Sequence, residues 1–265
     1  MNTEYMDLNA ESIDEEHICC AFSDKKYSEG YKAKKEWLKR EFGEDYVFRR
    51  LNERAKVFIE YVPAEKAWTA VEAPDYIMIN CFWVSGQYKG KGHGYALLQS
   101  VMEDAKRQGK RGLVSVAGTK KLPFMSDTKW LLAHGFTIVE KLPYGFALIV
   151  MKFDEAAPNP RFLPCVTEGY CGERKGLTAY YSSRCPFTDY YVNKELKNLA
   201  RKHAVPLEII KLETREQARM APSPNTIFSL FMDGKFVGTD LSLCTEKKFE
   251  KLLSEKVNGK ELNQV

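Results

Sequence analysis

The stretch YIMINCFWVSGQYKGKGHGYALLQSVMEDAKRQGK, from Tyr76 to Lys110, decides how this chain is read. Its first nine residues are nearly all apolar or β-favouring, which predicts a central strand covered on both faces. Ser85 and Gly86 end it. Leu97, Leu98, Val101, Met102 and Ala105 then recur at helical spacing, so the glycine-rich KGKGHG opens directly into an amphipathic helix. A helix start of this kind offers unpaired backbone amides and the positive end of the dipole, and glycine lets an anion approach the backbone. Two well-known phosphate loops do not fit. Gly94 is followed by Tyr95 and Ala96, not by the Lys and Ser/Thr of a nucleoside-triphosphate loop. The loop also follows several strands and helices, whereas a dinucleotide fold opens on its first strand.

Before the loop, the pattern predicts a short strand over 4–9, a capped helix over 12–22 begun by Ser12 with Glu15 and Glu16, and a largely solvated helix over 27–42. A meander of strands over 46–51, 56–62 and 68–72 follows. After the loop come a strand over 112–117, a short helix over 127–134 closed by Gly135, and strands over 136–140 and 146–153. Residues 154–176 hold three prolines and no periodicity, the composition of a linker. Beyond it, a strand over 177–182, a helix over 188–203 and a strand over 207–212 make a βαβ unit. A short helix over 216–220, strands over 227–231 and 236–238 about Asp233-Gly234, and a helix from Thr245 complete the chain.

A length of 265 residues predicts two domains, and 44% hydrophobic with 29% charged residues excludes a disordered chain. Between Gly86 and Lys121, the basic residues Lys89, Lys91, Lys106, Arg107, Lys110, Arg111, Lys120 and Lys121 face only Glu103 and Asp104. That excess is larger than the net +4 of the whole chain, so an anionic partner belongs there. No apolar run approaches the roughly 20 residues of a membrane span. The acidic N-terminus lacks the pattern of a secretory signal, and the 7 cysteines do not form a disulfide framework. The expectation is a soluble, cytoplasmic protein with no membrane and no nucleic-acid partner and no metal site.

This order of elements, with Lys89-x-x-Gly92-x-Gly94 before Ala96-Leu97-Leu98 and with Gly135-Phe136 ending a helix, resembles the GNAT superfamily of acyl-CoA N-acyltransferases. The resemblance covers about residues 4–153 and departs mildly in having lysine at the first loop position. It implies an α/β (α+β) fold with a mixed central sheet, and acetyl-CoA as co-substrate. The backbone of Phe82, Trp83 and Val84 would hold the pantetheine arm, and the segment Lys89, Gly90, Lys91, Gly92, His93, Gly94 and Tyr95 the pyrophosphate. A neutral amine of a small molecule or peptide would attack the thioester directly, with the Val84 amide as oxyanion donor. The tyrosine often used as thiolate acid falls at Leu131, leaving Tyr144, Cys81 and His134 as substitutes. Glu72 and Asp75 are the candidates for receiving the amine proton. Tyr27, Tyr31 and Trp37 are aromatic candidates for the acceptor pocket. Oligomeric state stays open, a homodimer included.

Ser183-Arg184-Cys185-Pro186-Phe187-Thr188 lies between a strand and a helix and resembles the active turn of thioredoxin and glutaredoxin folds, without the second cysteine. A cysteine at a helix start beside Arg184 is expected to ionise readily. Hence the alternative reading: a monothiol redox or thiol-binding protein using Cys185. An acyltransferase domain over 1–153, a linker over 154–176 and a smaller thioredoxin-like domain over 177–265 resemble together the bacterial YoaP-type acetyltransferases.

Overall fold

The nonapeptide Tyr76–Val84 is the strand its composition predicts, and the rest of the chain is arranged around it. The computed structural model describes residues 5–257. In chain order the elements are β1 (Tyr5–Asp7), α1 (Ser28–Phe42), β2 (Val47–Leu51), β3 (Val57–Pro63), β4 (Val71–Glu72), β5 (Tyr76–Val84), α2 (His93–Arg107), β6 (Gly112–Gly118), α3 (Thr128–Ala133), β7 (Thr137–Lys141), β8 (Phe146–Lys152) and β9 (Arg161–Phe162). There follow β10 (Leu177–Tyr181), α4 (Thr188–Tyr190), a π-helical stretch Tyr191–Leu196, α5 (Lys197–Lys202), β11 (Leu207–Lys211), α6 (Arg215–Arg219), β12 (Phe228–Met232), β13 (Lys235–Gly238) and α7 (Glu246–Val257). The expected strand start at residue 4 and the chain after 257 lie outside the described residues.

Seven strands form a mixed sheet in the order β1-β2-β3-β5-β6-β8-β7. β5 pairs antiparallel with β3 and parallel with β6, but the parallel ladder covers only Tyr76–Met78 against Gly112–Val114. Beyond Met78 the two strands diverge. Side chains alternate across the sheet, so Val57, Ile59, Ile77 and Leu113 meet Leu97, Leu98 and Val101 of α2 on one face. Phe58, Val62, Tyr76, Met78 and Val114 face the opposite way, toward Trp37 and Leu38 of α1.

That second face is also covered by a four-stranded sheet, β11-β10-β12-β13, in which β10 and β11 are parallel and the other neighbours antiparallel. Its strands sort their side chains by parity. Tyr180 and Phe231 turn to the large sheet's core, while Leu177, Ala179, Phe228 and Leu230 pack with Leu196, Leu199, Phe249 and Leu252 in a separate core. The result is four layers: α2 with α3, the large sheet, α1 with the small sheet, then α5 and α7.

Three local expectations change. The segment 12–22 is turns, not helix, with Cys19 and Ala21 at positive φ of 63° and 56°. Ile13 and Ile18 are both fully buried, and five residues apart they would leave a helix on different sides. The Asn9 side chain accepts from the amides of Glu11 and Ser12, which favours a turn over a capped helix start. Second, only Val71–Glu72 of the strand over 68–72 forms, and it pairs with Arg161–Phe162 rather than with the meander. Third, β5 is covered on both faces only in its first half: Tyr76, Ile77, Met78 and Ile79 are buried, whereas Asn80 onward is not and Trp83 is 45% exposed.

Candidate active site

Where β5 leaves β6, a cleft of about 520 Å³ opens, lined by Phe82, Trp83, Val84, the segment from Tyr88 to Tyr95 apart from Lys91, and Trp130 and His134 of the α3 region. Its size is that of a small-molecule site. Two backbone features make it.

The first is a bulge. Glu60 pairs with Cys81 and Tyr61 with Ile79, so Asn80 has no partner on β3. A bulge bends its strand and re-aims the chain. Past it, the Ser85 amide donates to the Lys56 carbonyl at 3.0 Å. In an antiparallel ladder, hydrogen-bonded pairs alternate with pairs that exchange no bonds. Trp83 opposite Phe58 therefore bonds to β3, while Phe82 and Val84, opposite Ile59 and Val57, direct their amides and carbonyls to the open edge. Of the three backbones expected to face the gap, the one at Trp83 is turned toward β3, although the residue still borders the cleft.

The second is the helix start. Gly92 caps α2 in the left-handed region at φ 85° and brings no side chain of its own to the first-turn amides. Gly86 and Gly90 also take positive φ, of 61° and 74°. These conformations are cheap only for glycine, and they set the positive end of a 15-residue helix at the cleft. Gly94 matters for space: a β-carbon there would lie 3.2 Å from Trp130 Cζ2 and 3.7 Å from Phe82 Cζ.

Lys89, Gly90, Gly92, His93, Gly94 and Tyr95 line the cleft as the loop pattern predicts, and Lys91 does not. The Lys91 ammonium lies 5.8 Å from the Tyr88 ring centre. His93 Nδ1 is 2.9 Å from the Tyr5 hydroxyl, which positions its ring from across the sheet edge. Lys121, Tyr88, Met125, Asp127 and Trp130 also line the cleft and carry no motif. Asp127 has a local signal, an N-cap whose side chain accepts from the Trp130 amide at 3.1 Å, and it sets the angle at which Trp130 enters. His134 stacks on Trp130 with ring centres 3.7 Å apart, and its Nδ1 is 2.7 Å from the Trp130 carbonyl.

The basic cluster divides in two. Arg107, Lys110 and Arg111 pair with Asp104, Glu65 and Asp75, and Lys106 lies over the Phe153 ring. They stand at the far end of α2, about 22 Å from the loop. Lys89 and Lys121 are the cations at the cleft.

Other candidates fall elsewhere. Glu72 pairs with Arg161 at 2.6 Å, and Asp75 with Arg111 at 3.2 Å. Both precede Tyr76, at the other end of a strand about 26 Å long from Val84. Tyr144 is 7% exposed, packs on Phe146 and Phe236, and donates its hydroxyl to the Val166 carbonyl. Burial pushes that phenol up. Leu131 is fully buried beneath α2. Cys81 shares the Glu60 side of the sheet, opposite Phe82 and Val84, and burial with the Glu60 charge pushes its thiol well up.

Cys185 belongs to this interior group too. It is partly exposed by area but sits in dense surroundings that push its thiol up to about 12, with the Phe187 amide and Lys34 opposing weakly. Arg184 does not assist it, being bonded to the Trp68 carbonyl, Thr226 and Asn80. The expectation of a readily ionised thiol is overturned, because desolvation outweighs a helix start of a single turn. Tyr27, Tyr31 and Trp37 build no acceptor pocket. Tyr27 packs edge-on to Phe187, the Tyr31 hydroxyl accepts from the Ile18 amide, and Trp37 is buried between Tyr46 and Trp68.

Among the described residues no helix is long and apolar enough to cross a membrane. All seven cysteines are free.

The model of the acetyltransferase (GNAT) family matches residues 10–122, and a YoaP-like family model matches residues 206–251. An uncharacterized N-acetyltransferase, YoaP, of Bacillus subtilis strain 168 is 41% identical over 250 residues, 94% of this chain and 98% of that protein. Among solved structures, the PaiA N-acetyltransferase of Thermoplasma acidophilum in complex with coenzyme A is 16% identical, with a TM-score of 0.42 over 58% of this chain and 100% of its own. YncA of Salmonella typhimurium, titled a putative acetyltransferase with acetyl-CoA, is 14% identical, with a TM-score of 0.41 over 60% and 99%. On the family model and the Bacillus relative, this chain belongs to the acetyltransferase (GNAT) family and is an acyltransferase with acetyl-CoA as co-substrate.

Proposed function

We propose that the protein transfers the acetyl group of acetyl-CoA to the primary amine of a small molecule or peptide, by direct attack on the thioester. The observation that carries this reading is the divergence of β5 from β6 at a bulge, with the uncapped start of α2 at the mouth of the gap. The free edge of Phe82 and Val84 suits the amide-rich pantetheine arm, and the loop amides with Lys89 and Lys121 suit a diphosphate. The Val84 amide is the oxyanion donor in this reading, since it faces the gap and is held rigid by the strand. Of the groups considered for protonating the leaving thiolate, His134 alone lines the cleft, and it takes that role here.

The C-terminal unit, from about residue 177 after a connecting segment over 154–176, is read as thioredoxin-like. Its support is the sheet order β11-β10-β12-β13 with a parallel first pair, together with the cysteine-proline turn after β10. Its role here is structural and substrate-facing rather than redox, because burial pushes the Cys185 thiol up to about 12.

Calorimetry with acetyl-CoA and a thiol-release assay over a panel of amines test the proposal. Acetyl-CoA binds the wild type, and Gly94→Trp, which fills the cleft at Trp130, weakens binding at least tenfold, about 1.4 kcal/mol. Absence of binding, or a Gly94→Trp protein that binds as well, sinks it. His134→Gln retains binding and lowers kcat by on the order of 10².

A further inference from the structure

On the opposite side of the same gap lies a second, smaller pocket. Met78, Ile79 and the bulged Asn80 of β5 line it with Val116 of β6, and the C-terminal unit closes it with Arg184, Asn225 and Thr226. Met125 borders both this pocket and the large cleft. The two therefore meet across the divergence of β5 and β6, one on each face of the sheet.

Arg184 gives the pocket its character. The residue is 7% exposed and makes no ion pair among the described residues. Nη1 donates to the Trp68 carbonyl at 3.2 Å and to Thr226 Oγ1 at 2.7 Å, and Nη2 donates to Asn80 Oδ1 at 2.9 Å. Nε has no partner. Glu41 feels its charge, yet that carboxylate is taken by Trp68 Nε1 at 2.9 Å. A guanidinium out of water is costly unless an anion meets it, and every partner here is a neutral oxygen. The remaining volume, about 30 Å³, has room for one small polar group and opens to solvent.

We infer that Arg184 binds an anionic group of the acceptor, so that the substrate is an amine carrying a carboxylate. This rests on the acetyl-transfer reading. The carboxylate lies against the Arg184 guanidinium where it lines the pocket, beside Asn80, and the amine reaches into the gap from the face opposite the donor cleft. The C-terminal unit thereby supplies the selectivity of a reaction whose donor site is lined by the N-terminal unit. Arg184 sits in the cysteine-proline turn, and this assigns the turn a task that needs no thiol chemistry.

The test uses the full chain with acetyl-CoA and three arms of acceptors: the twenty free amino acids, dipeptides bearing a free C-terminal carboxylate, and the carboxamide of each amino acid. The first two arms separate a free amino acid from a peptide end as the source of the carboxylate. The expected result is turnover in one of them, with the matching carboxamide lower in kcat/KM by about tenfold to a hundredfold. Arg184→Gln erases that difference by raising KM for the carboxylate, leaves the carboxamide rate in place, and keeps acetyl-CoA affinity. Arg184→Lys, which retains the charge, recovers part of the preference and guards against misfolding of the glutamine variant. The inference is overturned if carboxamides are the better acceptors, if Arg184→Gln slows both forms alike, or if acetyl-CoA binds while no carboxylate-bearing amine is acetylated. Failure of acetyl-CoA to bind is the separate outcome that removes the acetyl-transfer reading itself.

Discussion

Gly30 of α1 lies directly against Pro186: a β-carbon on it would stand 2.2 Å from the Pro186 carbonyl oxygen and 3.0 Å from the carbonyl carbon. The backbone of the cysteine-proline turn thus touches the first helix, with Phe187 edge-on to Tyr27 beside it. Backbone cannot yield as a flexible side chain does. Gly30→Val is expected to lift the turn from the helix and destabilise the protein by about 1–3 kcal/mol, read as a lower urea midpoint. An unchanged midpoint would mean that the turn is not fixed against α1.

The two basic groups lie at opposite ends of α2. Lys89→Ala and Lys121→Ala, at the cleft, are expected to raise KM for acetyl-CoA several-fold, with the effect shrinking at high salt. Lys106→Ala, at the far end of α2 over Phe153, leaves KM unchanged. Equal effects from both ends would argue against the loop as the diphosphate site.

Tyr144 is a strut between β8 and the segment after β9. Tyr144→Phe leaves the Val166 carbonyl without its donor and is expected to cost about 1–3 kcal/mol of stability. The kcat at saturating substrates stays the same. A collapse of kcat with intact stability would restore Tyr144 as the acid.

Alkaline pH acts on the buried thiols. Burial pushes Cys19 and Cys185 up to about 12 from an ordinary value of 9.0. The unfolded chain therefore releases these protons first. Their stabilisation is complete below pH 9 and declines from there up to pH 12, by about 1 kcal/mol per thiol at pH 10. Lys34, buried at a desolvation cost that the Glu60 carboxylate more than offsets, is held above its ordinary 10.5 and adds a loss in the same direction above that pH. Urea midpoints under reducing conditions at pH 8 and pH 10 measure the decline, and Cys185→Ala makes it shallower. A flat profile would show that these thiols ionise alike in both states.

What could be read in advance follows from how local each signal is. The bounds of β5 and the start of α2 are written in nine residues apolar but for Asn80 and in a glycine loop, and both fold as they read. The place of the cleft was legible for the same reason, together with the loop residues that line it. Trp130, Asp127 and Lys121 were not, because they arrive from a separate stretch of chain and bear no spacing relation to the loop. Glu72 and Asp75 misled through sequence proximity to β5, which is proximity to its wrong end. The segment 154–176 has a linker's composition, yet it gives β4 its partner strand, and its Gly169 carbonyl accepts from the Phe236 amide. Packing of this kind depends on what the rest of the fold leaves uncovered.

The small sheet uses both faces, and this decides how the molecule comes apart. Tyr180 and Phe231 on one side and Ala179 and Leu230 on the other are all at least nine-tenths buried. Peeling the C-terminal half away would wet a broad apolar surface on each half at once. The two halves should therefore melt together, as one calorimetric transition whose van't Hoff and measured enthalpies agree. No species with one half folded and the other open should accumulate on the way.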